Sequence, residues 1–157
     1  MYSIRDSAMT IKVPICLYYK EAQVNVLLDS GATDNLIDRN LINKMGLGTT
    51  PLKPPRLVRN VDESLNKDGT MTETCQLWVK RGEKEIEFQF FVTSLGEDRM
   101  IFGYPWFEQE NPEIDWTKHE LKGEPITLLT LCKKQKSMKS QAKVIDFSLT
   151  LTVFFDF

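Results

Sequence analysis

Apolar and polar residues alternate along much of this chain, which is the pattern expected of strands that bury one face. The clearest case is residues 84–92, where Ile86, Phe88, Phe90 and Val92 share one face. Residues 22–28 end in a mostly apolar, partly β-branched run that indicates a buried strand. Other strand-like segments are residues 10–19, 56–61, 70–80, 98–102, 114–116 and 118–122. The chain is therefore predicted to be mainly β.

Two short helices interrupt the β pattern. Asp38 is a candidate N-cap for a helix over residues 39–45, and Gly46 fits the position that stops it. Pro105 favours the first turn of a second helix over residues 104–109. Many short strands with one or two short helices predict a small closed β-barrel or sandwich.

A long hairpin is predicted over residues 56–80, because two strand-like runs flank a polar, turn-rich segment at residues 62–69. Three prolines in residues 49–55 predict an extended connection that leads into this hairpin. The polar tip is expected to be mobile, since it has few apolar residues to pack.

The composition is that of one globular domain with a core of its own: 157 residues, of which 41% are hydrophobic and 27% charged. A net charge of −2 gives no reason to expect nucleic acid as the main partner. No apolar run approaches the roughly 20 residues of a membrane span. Residues 1–8 are a polar lead-in, residues 9–126 the predicted domain, and residues 127–157 a tail with no assigned structure.

The cysteines and the single histidine do not suggest a metal site. Cys16, Cys75 and Cys132 are far apart in the chain, and His119 alone cannot complete a Cys/His zinc set with them. The odd cysteine count and the lack of a signal peptide predict free, buried thiols in a reducing, cytoplasmic compartment.

Candidate chemistry is concentrated where the strand over residues 22–28 ends, at Asp29, Ser30 and Gly31. Burying an ionised carboxylate against an apolar strand costs several kcal/mol unless it has a partner. Gly31 allows a sharp turn and a close approach by another backbone or a ligand. This arrangement can hold a catalytic acid, although an ordinary Asp-Ser-Gly turn has the same pattern.

Three functions fit this loop. An aspartic peptidase needs two carboxylates about 3 Å apart that share a proton, and one loop per chain supplies both only if two chains meet across a two-fold axis. Asp29, Gly31 and Thr33 also match the D-x-G-x-T pattern of actin-like ATPases, but those folds need a second phosphate loop and far more residues. The third possibility is a non-catalytic β domain that serves binding or dimerisation.

Five segments, taken in order, resemble the protease domain of Gypsy-type LTR retrotransposons, fungal ones especially, within the retropepsin family. They are LLDSGATDNLI at 27–37, VRNVD at 58–62 with NKDG at 66–69, FFVTSLG at 90–96, IFGYPWF at 101–107 and NPEIDW at 111–116. The resemblance covers roughly residues 9–126, and the order of these motifs makes it specific.

The resemblance implies a retropepsin-like closed barrel with a flap hairpin, acting as a homodimeric aspartic endopeptidase on an extended polypeptide such as Gag-Pol. Water would be activated between two copies of Asp29. Ser30 would reach across the dimer axis, and the Gly31 carbonyl would accept a bond from the substrate. No cofactor, metal, nucleic acid or membrane is required, and the protein would be cytoplasmic or in a virus-like particle. The implied substrate-binding residues are Gly31, Ala32, Asn60, Val61, Asp62 and Ile101.

The resemblance also assigns supporting roles. Residues 56–80 would be the flap, Gly103 would allow close backbone approach, and residues 104–109 would form a helix under the active site. Three tryptophans are predicted to pack in the core: Trp78, Trp106 and Trp116.

Two features depart from the family. Glu63 stands where relatives have a flap glycine, and the tail from about residue 128 differs from the family's continuation. Retroviral-type dimers often pair their terminal strands. A catalytically inactive retropepsin-like domain for dimerisation or protein binding is therefore the alternative.

Overall fold

Ten strands and two short helices form the part of the chain that a computed structural model describes. That part is residues 9–17, 20–59, 65–97 and 99–130, with only the backbone at residues 58–59 and 65–68. The helices are α1 (Arg39–Met45) and α2 (Tyr104–Glu110). The strands are β1 (Met9–Cys16), β2 (Glu21–Leu28), β3 (Leu36–Asp38), β4 (Thr50–Arg59), β5 (Leu65–Arg81), β6 (Lys84–Thr93), β7 (Arg99–Phe102), β8 (Ile114–Asp115), β9 (Glu120–Leu121) and β10 (Ile126–Thr130).

Seven of these strands close into a barrel. The sheet runs in the order β10-β1-β2-β7-β3-β6-β5-β4, and a further pairing of β10 with β5 joins its ends, which leaves β4 outside the ring. Strands β8 and β9 form a separate small hairpin. The prediction of a mainly β, closed barrel with two short helices is confirmed.

Strand β10 closes the barrel. It lies parallel to β1, with Ile15 opposite Leu128, and antiparallel to β5. The predicted boundary between domain and tail falls at the start of this strand, so the barrel continues to Thr130. The apolar alternation of β10 makes this possible, because Ile126 and Leu128 point into the core.

The predicted long hairpin is present as β4 and β5, which pair antiparallel from Thr50 to Arg59. The proline segment predicted as a connection belongs to β4. An edge strand tolerates proline, since its outer N–H groups have no strand partner. The pairing is irregular, with register shifts between Pro51 and Arg56 and between Leu57 and Arg59. The hairpin tip at residues 60–64 lies outside the described residues.

Both helices begin and stop close to where the sequence predicts. Gly46 ends α1 in the left-handed region at φ 63°, and Gly103 precedes α2. Asp38 occupies the N-cap position of α1 but does not cap it; its Oδ1 accepts a hydrogen bond from the Leu95 N–H at 2.9 Å. Among the described residues there is no helix with the length and hydropathy to cross a membrane.

Aromatic packing under β7 dominates the core. Phe102 and Trp106 are fully buried, with ring centroids 4.9 Å apart, and Phe90 lies 5.9 Å from Phe102. Trp116, predicted with the other two tryptophans to be a core or packing residue, lies outside the core: it follows the short strand β8 and is 63% exposed. Trp78 is half-buried.

Two of the three cysteines are described, and both are buried free thiols, as predicted. Burial raises the pKa of the Cys75 thiol to about 12, so this side chain stays protonated at neutral pH. Cys132 lies outside the described residues.

Because β10 belongs to the barrel and Leu128 is fully buried, Leu128→Ala should leave a cavity in the core. We expect the free energy of unfolding to fall by about 2–5 kcal/mol. Leu129→Ala on the half-buried face is the matched control, with an expected loss of about 1 kcal/mol. Urea unfolding of the full chain, followed by tryptophan fluorescence, measures both. Equal losses would mean that β10 does not pack as described.

Candidate functional site

The candidate site is a tight turn at the end of β2. Strand β2 runs parallel to β7, with Leu28 opposite Phe102. The Asp29 N–H donates to the Phe102 carbonyl at 3.0 Å, and the Ala32 N–H donates to the Asp29 carbonyl at 3.1 Å. Both ends of the turn are therefore fixed to backbone, one to the barrel and one to the turn itself.

The Asp29 side chain is oriented by this turn. Its Oδ1 accepts a hydrogen bond from the Gly31 N–H at 3.0 Å, and the carboxyl group is only partly buried. A Cβ on residue 31 would lie 3.2 Å from that oxygen, so glycine leaves the carboxylate uncrowded. Ser30 and Gly31 are exposed beside it. The turn thus presents a fixed carboxylate to solvent.

The floor under the turn is the junction of β7 and α2. The Tyr104 N–H donates to the Ala32 carbonyl at 2.8 Å. A Cβ on Gly103 would lie 2.2 Å from the Asp34 carbonyl oxygen and 2.8 Å from that of Ala32. No side chain fits there, because real Cβ atoms do not approach backbone so closely. The predicted role of Gly103 in close backbone approach is confirmed.

Asn35 holds the same junction from the other side. Asn35 is only 2% exposed, and its Oδ1 accepts a hydrogen bond from the Gly103 N–H at 2.8 Å. The Asn35 carbonyl accepts from the Phe91 N–H at 2.9 Å. Nothing in the local pattern signals a partner 68 positions away.

A second carboxylate, Asp34, is engaged elsewhere. It accepts from Thr33 Oγ1 at 3.1 Å and pairs with the Arg56 guanidinium at 3.0 Å. The same guanidinium lies 5.1 Å from the centroid of the Phe91 ring. The Asp34 carboxylate is therefore already engaged with a cation, whereas the described donor to the Asp29 carboxylate is the Gly31 N–H.

The structure brings together part of the predicted site. Asp29, Ser30, Gly31 and Ala32 form one continuous turn. Ile101 is half-buried on β7, opposite Leu27 of β2 on one side and Leu36 of β3 on the other. The predicted flap residues lie outside the described residues: Asn60, Val61 and Asp62.

Several cavities border the described residues. One of about 480 Å³ is bordered by Asp34, Arg56 and Phe91. Others of about 390 and 620 Å³ lie beside Cys75 and beside His119. Within the described ranges, no cluster of three or more His, Cys, Asp or Glu side chains is arranged to hold a metal ion.

Comparison with known proteins gives two findings. The family profile of the PEG10/RTL1 protease domain matches residues 25–132. A solved structure, the retroviral protease-like domain of Ddi1 from Leishmania major, is 17% identical, with 78% of this chain and 95% of that chain covered and a TM-score of 0.40.

The close approach at Gly103 predicts that Gly103→Ala lowers the free energy of unfolding by at least about 2 kcal/mol, because the methyl group must displace backbone. Gly48→Ala is the matched control, since a Cβ there meets nothing within 4 Å. Chemical unfolding of both variants measures the difference. A Gly103→Ala protein as stable as the control would contradict the described junction.

Proposed function

The chain belongs to the PEG10/RTL1 protease domain family, and from this premise we propose that it is an aspartic endopeptidase that works as a homodimer. The observation that carries the proposal is the Asp29 turn. A carboxylate fixed by the Gly31 N–H, at the end of a barrel strand and open to solvent, suits a catalytic acid or base. The Gypsy-type and fungal affinities of the sequence stay predictions.

The proposed chemistry uses two copies of Asp29. One carboxylate, ionised, takes a proton from water as the water attacks the peptide carbonyl. The other, protonated, gives its proton to the carbonyl oxygen. When the C–N bond breaks, the first carboxyl passes the proton taken from water to the leaving amine, and the second recovers a proton from the diol hydroxyl. Two carboxylates about 3 Å apart cannot both ionise readily, which keeps one proton shared between them. Since Asp34 is paired with Arg56, the second carboxylate is assigned to a second chain.

The proposed dimer contact surrounds the Asp29 turn. Ser30 is exposed there and is assigned the contact across the two-fold axis. Tyr104, which is 55% exposed, follows the Gly103 junction and adds apolar surface near the turn. Strand β10 is already paired on both sides within the barrel, so residues 126–130 do not supply an interchain sheet.

The proposed substrate is an extended polypeptide, bound between the Asp29 turn and the β4–β5 hairpin. Extended peptides are held by main-chain hydrogen bonds, with side-chain pockets for specificity. Gly31, Ala32 and Ile101 are assigned to the floor, and Asn60, Val61 and Asp62 to the hairpin. A Gag-Pol-like polyprotein as substrate and a cytoplasmic or particle-associated location belong to this proposal.

One observation favours an inactive dimerisation or binding module as the second candidate. Both edges of β10 are used to close the barrel of a single chain, so this strand is not free to pair with a partner chain. If the dimer does not form, the Asp29 turn is half a site without activity. Measurement of mass in solution together with peptidase activity separates the two candidates.

Asp29→Asn is expected to lower peptide hydrolysis at least about a thousandfold. Stability should be nearly unchanged, because asparagine keeps an oxygen that can accept from the Gly31 N–H. The assay is cleavage of a peptide library in mildly acidic buffer, with a bell-shaped pH profile expected for a coupled carboxylate pair. A statine inhibitor should block the wild type, and a chelator should not.

Asp115→Asn is the matched control, because this exposed carboxylate only accepts local bonds from Thr117 and the Lys118 N–H. Its activity should equal that of the wild type. Equal activity of Asp29→Asn and wild type would contradict the assignment of Asp29. A dimer of correct mass without any activity would favour the binding module.

A shared site also predicts dominant inhibition. Adding Asp29→Asn chains to a fixed amount of wild type should lower activity, because mixed dimers hold one carboxylate instead of two. Dilution of the wild type alone should lower its specific activity for the same reason. The control is an equal addition of Asp29→Asn chains that also carry a charge at Ser30, designed to block dimerisation. Activity proportional to wild type under every condition would show that each chain works alone.

A further inference from the structure

Arg56 joins the hairpin to the candidate catalytic loop. It lies on β4, and its guanidinium reaches Asp34 Oδ1 at 3.0 Å, five residues beyond Asp29 in the chain. The guanidinium also lies over the Phe91 ring at 5.1 Å, on strand β6. One side chain therefore connects three parts of the molecule: the outer hairpin strand, the catalytic loop and the barrel wall.

The two ends of this connection differ in rigidity. Asp34 is held by the floor, since its carbonyl is packed against Gly103 and its neighbour Asn35 is hydrogen-bonded to the Gly103 N–H. Strand β4 has one paired side only, and register shifts flank the Arg56–Leu57 segment. The contact thus joins the irregularly paired strand β4 to a loop that is held by backbone packing and hydrogen bonds.

The contact is of modest strength. The Arg56 side chain is 48% exposed and that of Asp34 19% exposed, so solvent screens the ion pair. Stacking of a guanidinium on an aromatic ring adds a further modest attraction. The pair also borders the cavity of about 480 Å³, which leaves the guanidinium room to move.

We propose that Arg56 is a positioning residue that ties the β4–β5 hairpin to the catalytic loop through Asp34. The tether sets the position of strand β4 relative to the floor on which the proposed function places an extended peptide. This inference rests on the proposed function for its effect on catalysis, but the tether itself is a property of the folded chain. A strand that is already fixed in place loses less freedom when a peptide binds beside it.

The first test is amide hydrogen exchange of the full chain. Arg56→Gln and Asp34→Asn should each accelerate exchange roughly 3- to 10-fold in residues 50–59 and 65–76, with no change in β1 and β2. Combining the two should add little beyond either alone, because they remove the same contact. Arg56→Lys should be intermediate, since lysine keeps the charge but loses the planar stacking.

Lys122→Gln is the matched control. It removes an exposed ion pair, to Glu113, far from the hairpin in sequence. Exchange in the hairpin should then equal that of the wild type. Arg56→Asp combined with Asp34→Arg should recover part of the protection, because the ion pair is rebuilt with its charges reversed.

The second test is peptide cleavage by the same variants. Arg56→Gln should raise KM roughly 3- to 10-fold with a smaller change in kcat, because the hairpin contributes to holding the peptide. Arg56→Lys should restore part of this loss. A general loss of stability would instead lower the amount of active protein and leave KM unchanged.

The outcomes separate the two claims. Wild-type exchange in the hairpin of Arg56→Gln overturns the tether, and so does faster exchange throughout the barrel. Faster hairpin exchange with unchanged KM overturns the role in peptide binding. A wild type that cleaves no peptide removes the proposed function, while the exchange result still decides whether the tether exists.

Discussion

The candidate site depends on the tight packing of Gly103 against the backbone of the loop that follows β2. Three backbone N–H groups hold this junction. The Asp29 N–H donates to the Phe102 carbonyl at the end of β7, the Gly103 N–H to Asn35 Oδ1, and the Tyr104 N–H to the Ala32 carbonyl. Backbone carbonyl oxygens occupy the space that a Cβ on residue 103 would need. The position of the Asp29 turn depends on this junction, because backbone hydrogen bonds join the turn to the end of β7 and to the start of α2.

The rest of the barrel supports that junction. Phe102 and Trp106 lie directly beneath it and are fully buried, so the strand end and the start of α2 cannot shift without opening the core. Strand β10 completes the ring on the opposite side by pairing with β1 and β5. A closed ring is stiff, since every strand within it has two partners. This stiffness suits a site in which two carboxylates must meet within about 3 Å.

Charge is distributed unevenly around the turn. Asp34 is neutralised by Arg56, whereas the Asp29 carboxylate has a backbone N–H as its described donor. The two neighbouring carboxylates therefore have different partners, a guanidinium for Asp34 and a backbone N–H for Asp29. The hairpin is joined to the neutralised carboxylate and not to the catalytic candidate.

The sequence by itself determined the β character, the hairpins, both helices and the Asp29 turn, because alternation, caps and turn residues are local signals. The close backbone approach at Gly103 was predicted from the family resemblance and not from a local signal. The tertiary structure alone decided three things: the partner of Asn35, the ion pair of Asp34 with Arg56, and the place of β10. Each joins residues far apart in the chain, and no local pattern encodes such a pairing. Trp116 shows the same limit, since hydrophobicity predicted burial and only the packing around β8 left it exposed.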